Sequence, residues 1–342
     1  MFLASQEIVL TFFQGLARIL LAVIHRLRGT ASVPQAFQGY SERRPVDVER
    51  ERGSLSLPAR EEAVPVSAVC RRETGLHIRA GYRLTYQHID YTPMLLMVHV
   101  HPSRAGDLLD PGIVTLDPPT AMTVYTDGFG NRCTRLVAPP GLITISTMFT
   151  IQDSGEADVV NWSARQTPVP MLPDDVLVYL MGSRYCETDR LSTLAWQLFG
   201  QMPEGWPRVQ AIVDYVHQRI RFDYQMARAT RTAWEAHEEQ VGVCRDFAHL
   251  AVTLCRCMNI PARYCTGYLG DIGIPPVPDP MDFSAWFDVY LDGIWYTFDA
   301  RHNKPRIGRI LMARGRDATD VAISTSFGKS DLVEFGVVTD EI

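Results

Sequence analysis

The chain of 342 residues contains 46% hydrophobic and 21% charged residues, a composition typical of a globular protein large enough for two domains. Its formal net charge is −6, and its sequence contains no basic stripe interleaved with aromatic residues. Both features argue against a nucleic-acid partner.

The cysteines indicate reduced thiols rather than a disulfide framework. Seven of them occur at irregular spacings, and the chain is too large to need disulfide bonds for stability: Cys70, Cys133, Cys186, Cys244, Cys255, Cys257 and Cys265. No second CxxC pair or histidine pair completes a zinc set around Cys255 and Cys257, so we expect core packing there. The sequence predicts a cytoplasmic protein with no metal and no other cofactor.

The amino-terminal segment, residues 1–66, is predicted to lie outside the fold. Its apolar run "IVLTFFQGLARILLAVIHRLRG" is interrupted by Gln14, Gly15 and Arg18, which fits neither a spanning helix nor a signal peptide. Membrane contact through an amphipathic helix and an extension from an upstream start codon remain alternatives. From Gly29 to about Pro65 the charged, aperiodic sequence predicts a disordered tail.

Residues 67–160 are predicted to form a small antiparallel β domain. Alternation of polar and apolar residues marks "LHIRAGYRLTYQH" and "LITISTMFTI" as strands, and a Gly-rich turn divides "VYTDGFGNRCTRLVA". His99 and His101 would share one face of a strand and could hold a metal. Without a third ligand, we expect both imidazoles to form ordinary hydrogen bonds.

The second predicted domain, residues 161–342, begins with a proline-bearing linker and then helices. "DRLSTLAWQLFG" is one predicted helix, and "WPRVQAIVDYVHQRIRFDY" is a second, with proline in its first turn and one apolar stripe. Another helix follows Cys244, because apolar residues recur at helical spacing until Pro261. Free amides at a helix start stabilise a thiolate, so Cys244 is a candidate nucleophile and Cys255 a buried, inert thiol.

A hairpin downstream gathers two further polar residues. "SAWFDVYLDGIWYTFDA" has the turn dipeptide Asp292-Gly293, and a two-residue turn sets Leu291 opposite Ile294. Ser284, Trp286 and Asp299 then project from one face of the hairpin.

The stretch "GVCRDFAHLAVTLCRCMNIPARYCTGYL", the strand with its AWF core and "WYTFDAR" together resemble the transglutaminase-like superfamily. The preceding β region resembles the amino-terminal domain of bacterial members. The resemblance implies an α+β fold with a papain-like core, a helix on an antiparallel sheet, preceded by a small all-β domain. It also implies a nucleophilic cysteine at the helix start and a histidine and an aspartate on adjacent strands; Cys244 and Asp299 match two of these roles.

The sequence departs from the family at the third role, where Ser284 replaces the histidine. A hydroxyl neither stabilises a thiolate nor returns a proton to a leaving amine near neutral pH. Among other histidines, His249 should face away from Cys244 on the helix, and the direction of His217 is open. His302 would reach the cleft only if the strand ends or bulges after Ala300.

The candidate catalytic set is therefore Cys244, Ser284 and Asp299. We predict a thiol-dependent acyl-transfer enzyme, a cysteine peptidase, amidase or transglutaminase, that acts on a peptide or protein substrate through Cys244. The alternative is a catalytically impaired domain that binds a peptide or partner protein, which the replacement at Ser284 favours. The sequence leaves the oligomeric state open.

Overall fold

The computed structural model describes residues 75–276 and 281–342. The predicted amphipathic segment and tail, residues 1–66, and Cys70 lie outside the described residues. Within the described residues, no helix has both the length and the apolar character needed to cross a membrane.

The amino-terminal β region consists of two four-stranded antiparallel sheets. The first has the strand order β14-β1-β6-β3 and the second the order β13-β2-β5-β4. The strands of the first sheet are β1 (Leu76–His88), β3 (Thr115–Asp117), β6 (Gly141–Asp153) and β14 (Ser330–Glu341). Those of the second are β2 (Thr92–Leu96), β4 (Met122–Thr126), β5 (Arg132–Ala138) and β13 (Ser324–Ser326).

The alternation predicted for the first strand is visible in its burial. Ile78, Ala80, Tyr82 and Leu84 are buried in the core between the sheets, and Arg79 and Arg83 point outward. The strand predicted from alternating polar and apolar residues is therefore confirmed as β1, because one face of the strand is buried and the other is solvated.

The end of the chain completes both sheets. Residues 330–341 pair with β1 along almost its whole length, from Ile78 opposite Glu341 to His88 opposite Ser330, and residues 324–326 pair with β2. The sequence predicted that residues 161–342 form one domain. The last two strands of this range, β13 and β14, form their hydrogen bonds with β2 and β1 and so are part of the two sheets of the β region.

The second region contains four helices and a third four-stranded antiparallel sheet with the order β11-β10-β9-β12. The helices are α1 (Thr188–Phe199), α2 (Trp206–Arg219), α3 (Ala233–Glu239) and α4 (Cys244–Cys257). The sheet strands are β9 (Ala262–Tyr268), β10 (Ser284–Leu291), β11 (Ile294–Phe298) and β12 (Ile310–Gly315). Strands β7 (Arg221–Phe222) and β8 (Val241–Gly242) form a short parallel pair, and 3-10 turns span Pro102–Asp107, Val169–Met171, Leu177–Leu180 and Tyr224–Met226.

Helix α4 is the centre of this region. Its residues from Asp246 to Cys257 are all buried, with the sheet strands β9 and β10 and the other three helices packed around it. Phe247 and Leu254 share a core with Phe287 and Val289 of β10. A helix buried all round has no freedom to shift, so the position of its first residue is fixed.

The predicted hairpin is confirmed together with its register. Leu291 pairs with Ile294, and the turn residues Asp292 and Gly293 both have positive φ, 49° and 80°, as a type I′ turn requires. Phe287 opposite Phe298 is the last pair of the ladder. Because β11 ends there, the first residues of β10 have no partner on that side.

Candidate active site

Asp246 holds the start of helix α4. Its Oδ2 accepts a hydrogen bond from the backbone N–H of Val243 (2.9 Å) and pairs with the buried guanidinium of Arg231 (3.1 Å). Gly242 leaves room for this carboxylate, because a Cβ there would lie 2.6 Å from the same oxygen. Asp246 therefore caps the helix start, and the cap fixes Cys244 in the first helical turn.

The Cys244 thiol is half-buried at this helix start, where it packs against a cluster that includes Tyr264 and Ala285. Burial raises its pKa to about 11, and the nearby charges of Asp282 and Asp246 act in the same direction. The guanidinium of Arg301 and a hydrogen bond from the backbone N–H of Ala285 oppose this rise.

The helix start therefore does not lower the pKa of the Cys244 thiol as the sequence predicted. Loss of solvent outweighs the opposing effects of Arg301 and the Ala285 N–H, so Cys244 is a neutral thiol near pH 7. The prediction for Cys255 is confirmed, since this thiol is buried in the core and burial raises its pKa. Chemistry at Cys244 requires a group that removes the proton.

Asp299 lies directly after β11 and is saturated with donors. Its Oδ1 accepts the backbone N–H groups of Arg301 and His302 (both 3.0 Å), and its Oδ2 accepts His302 Nδ1 (2.8 Å) and Arg309 Nη2 (3.0 Å). These donors hold the pKa of the buried carboxyl well below its usual range, although burial alone would raise it. Asp299 is therefore ionised near neutral pH.

The contact between Asp299 and His302 follows from the early end of the strand. The Asn303 N–H donates to the Asp299 carbonyl (2.8 Å), so residues 299–303 form a helical turn in which positions 299 and 302 share one side. The strand therefore ends before His302, which is the condition under which the sequence allowed His302 to reach the cleft. Its Nδ1–H donates to the carboxylate, which leaves Nε2 as the basic nitrogen of the neutral ring.

A second ion pair supports this turn. Arg309 bridges Asp299 and Asp158, with 2.9 Å between Arg309 Nε and an Asp158 oxygen, and its guanidinium lies over the ring of Trp286. Trp286 is itself buried. Sequence reasoning did not identify three residues of this site: Asp158, Arg301 and Arg309. An isolated arginine or aspartate outside a motif predicts a solvent-exposed side chain.

Ser284 is buried at the start of β10, opposite Gly267 of β9. Its Oγ has no hydrogen-bond partner within the described residues. A Cβ on Gly267 would lie 2.1 Å from the Ile310 carbonyl oxygen, so β9 and β12 approach closely behind Ser284. The structure therefore joins Asp299 to His302 and not to Ser284.

His249 and His217, the other two histidines considered as possible bases, have structural partners. His249 accepts the backbone N–H of Ala318 at Nε2 (3.1 Å), stacks on Tyr185, and has its pKa lowered to about 3 by burial, so it has a structural role. His217 Nδ1 donates to the Ala300 carbonyl oxygen (3.1 Å).

His99 and His101 form hydrogen bonds, as expected. His99 Nε2 contacts Thr134 Oγ1 (2.7 Å), and His101 Nδ1 contacts Ser103 Oγ (2.8 Å). Both lie beyond the end of β2 rather than on a strand. In the part of the chain that the structure describes, no three histidine, cysteine or acidic side chains are grouped closely enough to hold a metal ion.

The fold and the site define a protein with a cysteine at the start of a central helix that packs on an antiparallel sheet. Residues 193–300 match the family model of the transglutaminase-like superfamily. This part of the chain therefore belongs to that superfamily and has its papain-like fold.

Two relatives extend this result. A crystal structure described as "a Putative Cysteine Protease from Cytophaga hutchinsonii" superimposes with a TM-score of 0.70 at 29% identity, and the match covers 78% of this chain and 91% of that one. An uncharacterized protein of Mycobacterium leprae is 36% identical over 98 residues. The match spans 27% of this chain and about a third, 35%, of that relative's length.

Proposed function

We propose that this protein is a thiol-dependent acyl-transfer enzyme that cleaves or transfers peptide or side-chain amides through Cys244. The observation that carries the proposal is the 2.8 Å hydrogen bond between His302 and Asp299, on the same turn as Arg301, whose charge lowers the pKa of the Cys244 thiol. The similarity to the Cytophaga hutchinsonii protein supports the same class of chemistry.

In the proposed reaction, His302 Nε2 accepts the proton of the Cys244 thiol, directly or through one water molecule. The sulfur attacks the carbonyl carbon, and the electron pair of the C=O bond moves to oxygen. Backbone N–H groups at the start of α4 stabilise this oxyanion. When the C–N bond breaks, the amine leaves with the proton from His302, and a thioester remains on Cys244.

The thioester is then attacked by water or by an amine. The attacking group transfers a proton to His302, and that proton returns to the departing Cys244 sulfur, so the enzyme is regenerated. Asp299 stays ionised throughout because of its depressed pKa, and it holds the His302 ring in the tautomer whose Nε2 is free to accept a proton.

This base assignment explains how a site with Ser284 could retain catalysis. A neutral thiol with a pKa of about 11 requires a positioned base, and Asp299 orients His302 for that role. General acid–base groups contribute about 10²–10⁴ in rate, so His302→Gln should lower amide or ester turnover by about that factor. Cys244→Ala should abolish turnover.

The matched control is His77→Gln, an exposed histidine on β1 far from this turn in sequence, which should leave turnover unchanged. Turnover can be followed as p-nitrophenolate release from p-nitrophenyl acetate, with the fold monitored by circular dichroism. Full activity of a folded His302→Gln variant would eliminate the base assignment.

A second candidate function is a binding domain that recognises a peptide without cleaving it. The raised pKa of Cys244 and the unpartnered Oγ of Ser284 favour this candidate. It predicts that wild type and Cys244→Ala release p-nitrophenolate at equal rates. The free thiols support a cytoplasmic location. The resemblance to bacterial members of the superfamily supports a bacterial origin, and both remain part of the proposal.

A further inference from the structure

Asp158 ties the segment between β6 and α1 to the stretch of chain that carries His302. Its backbone N–H donates to the Arg306 carbonyl oxygen (3.0 Å), and its Oδ2 accepts the backbone N–H of Arg306 (2.9 Å). Arg309 Nε donates to the same carboxylate, at 3.1 Å from Oδ1 and 2.9 Å from Oδ2. Asp158 therefore holds both the side chain of Arg309 and the backbone that leads to it.

Arg309 divides its guanidinium between two carboxylates. Its Nε pairs with Asp158, and its Nη2 donates to Asp299 Oδ2 (3.0 Å). All three side chains are nearly buried, with exposed fractions of 14% for Asp158, 8% for Arg309 and 2% for Asp299. Because the guanidinium is planar and rigid, holding it at Nε also fixes the direction in which Nη2 meets Asp299.

The charges of these three groups do not cancel. Two carboxylates share one guanidinium, so one negative charge is left over. Burial raises the pKa of the Asp158 carboxyl, but the charge of Arg309 opposes this rise, and an acid paired with a guanidinium keeps its charge near neutral pH. Without Asp158, Arg309 would neutralise Asp299, the carboxylate that accepts His302 Nδ1–H at 2.8 Å. A negative charge beside an imidazole favours its protonated form.

We propose that Asp158 is a positioning residue for the reaction, because it fixes Arg309 and leaves Asp299 with a negative charge that makes His302 a stronger base. This inference rests on the proposed acyl-transfer function. Other charged or titratable groups around the turn are the same in every variant below, so they do not change the sign of the effect: Asp214, His217, Asp271, Asp282, Arg301 and Arg306.

The test is the titration of the His302 ring in the full chain. It is followed by NMR of protein with isotope-labelled histidine, and His302→Gln identifies the signal. The side chain is 21% exposed, so protons from solvent reach it. For a charge about 9 Å away near a protein surface, Asp158→Asn should lower the midpoint of this titration by about one pH unit. Asp158→Glu, which keeps the charge, should return the midpoint toward the wild-type value.

Asp320→Asn is the matched control. The Asp320 side chain is 11% exposed and binds one guanidinium through Arg316 Nε and Nη2 (both 2.9 Å). It also accepts a backbone N–H, that of Arg316 (2.9 Å). In residues 75–276 and 281–342, no hydrogen bond joins Asp320 or Arg316 to Asp299 or His302. The control removes the same charge from a similar ion pair, so the His302 midpoint should not change.

Asp158→Ser removes the same charge with a smaller side chain and takes the place of Asp158→Asn if that variant does not fold. A midpoint that is unchanged or higher in the folded neutral variant would overturn the proposal, as would an equal fall in Asp320→Asn. In the active enzyme, the acid limb of the pH dependence of kcat/KM should move to lower pH by the same amount. The NMR titration needs no turnover. A lower midpoint in Asp158→Asn, with equal p-nitrophenolate release by wild type and Cys244→Ala, would refute the acyl-transfer function and leave the effect of Asp158 on His302 intact.

Discussion

Installing the family's histidine at position 284 tests the base assignment from a second direction. If the wild type lacked a base, Ser284→His would raise turnover by about 10²–10⁴. In the structure, however, both oxygens of Asp299 are already occupied by donors, including His302 Nδ1 and Arg309 Nη2. A new imidazole could bind Asp299 only by displacing one of them.

We therefore expect Ser284→His alone to change turnover by less than about tenfold, well below the contribution of a newly supplied base. In the His302→Gln background, the same substitution should recover at least part of the lost rate, because an Asp299 oxygen is then free. The assay is p-nitrophenolate release, combined with the pH dependence of Cys244 alkylation. A gain of a hundredfold or more from Ser284→His, with no effect of His302→Gln, would refute the reasoning.

Two predictions concern stability. Arg231→Gln removes the closer of the two guanidinium partners of the buried Asp246 carboxylate and leaves only the 3.4 Å pair with Arg245, so it should destabilise the fold by about 3 kcal/mol in urea unfolding, whereas Arg221→Gln at an exposed pair should cost less than about 1 kcal/mol. Burial lowers the pKa of His99 to about 4, so the folded state stays neutral while the unfolded chain binds a proton below about pH 6.5. Stability from this residue is present above pH 6.5 and is lost as the pH falls toward 4; between pH 7 and 5 the loss is about 2 kcal/mol, and His99→Gln should remove that part of the acid sensitivity. An unchanged difference between the two pH values in His99→Gln would contradict the assignment.

Local sequence signals predicted the elements that position the nucleophile. The hairpin followed from Asp292-Gly293, because this dipeptide favours a turn with positive φ at both positions, and helix α4 followed from apolar spacing that ends before Pro261. Such signals depend only on neighbouring residues, and burial on one face of the chain reinforces them.

Long-range contacts could not be predicted in this way. Strand β14 pairs with β1 across about 250 residues of sequence, and nothing in either pattern names the other as partner. Predicting the pairing of His302 with Asp299 would have required the residue at which β11 ends. The backbone N–H groups that donate to Asp299 Oδ1 stabilise the turn that follows this end. The protonation state of the Cys244 thiol depends on a balance between burial and nearby charges, and only the packed structure determines that balance.

The most direct test of the account is whether Cys244 carries the acyl group during turnover. Wild-type protein is quenched during reaction with p-nitrophenyl acetate and digested, and the acetyl group is located by mass spectrometry. The account predicts an acetyl thioester on the peptide that contains Cys244, repeated turnover, accumulation of less product in His302→Gln, and none above background in Cys244→Ala. Equal product release by wild type and Cys244→Ala, with no acetyl group on Cys244, would contradict it.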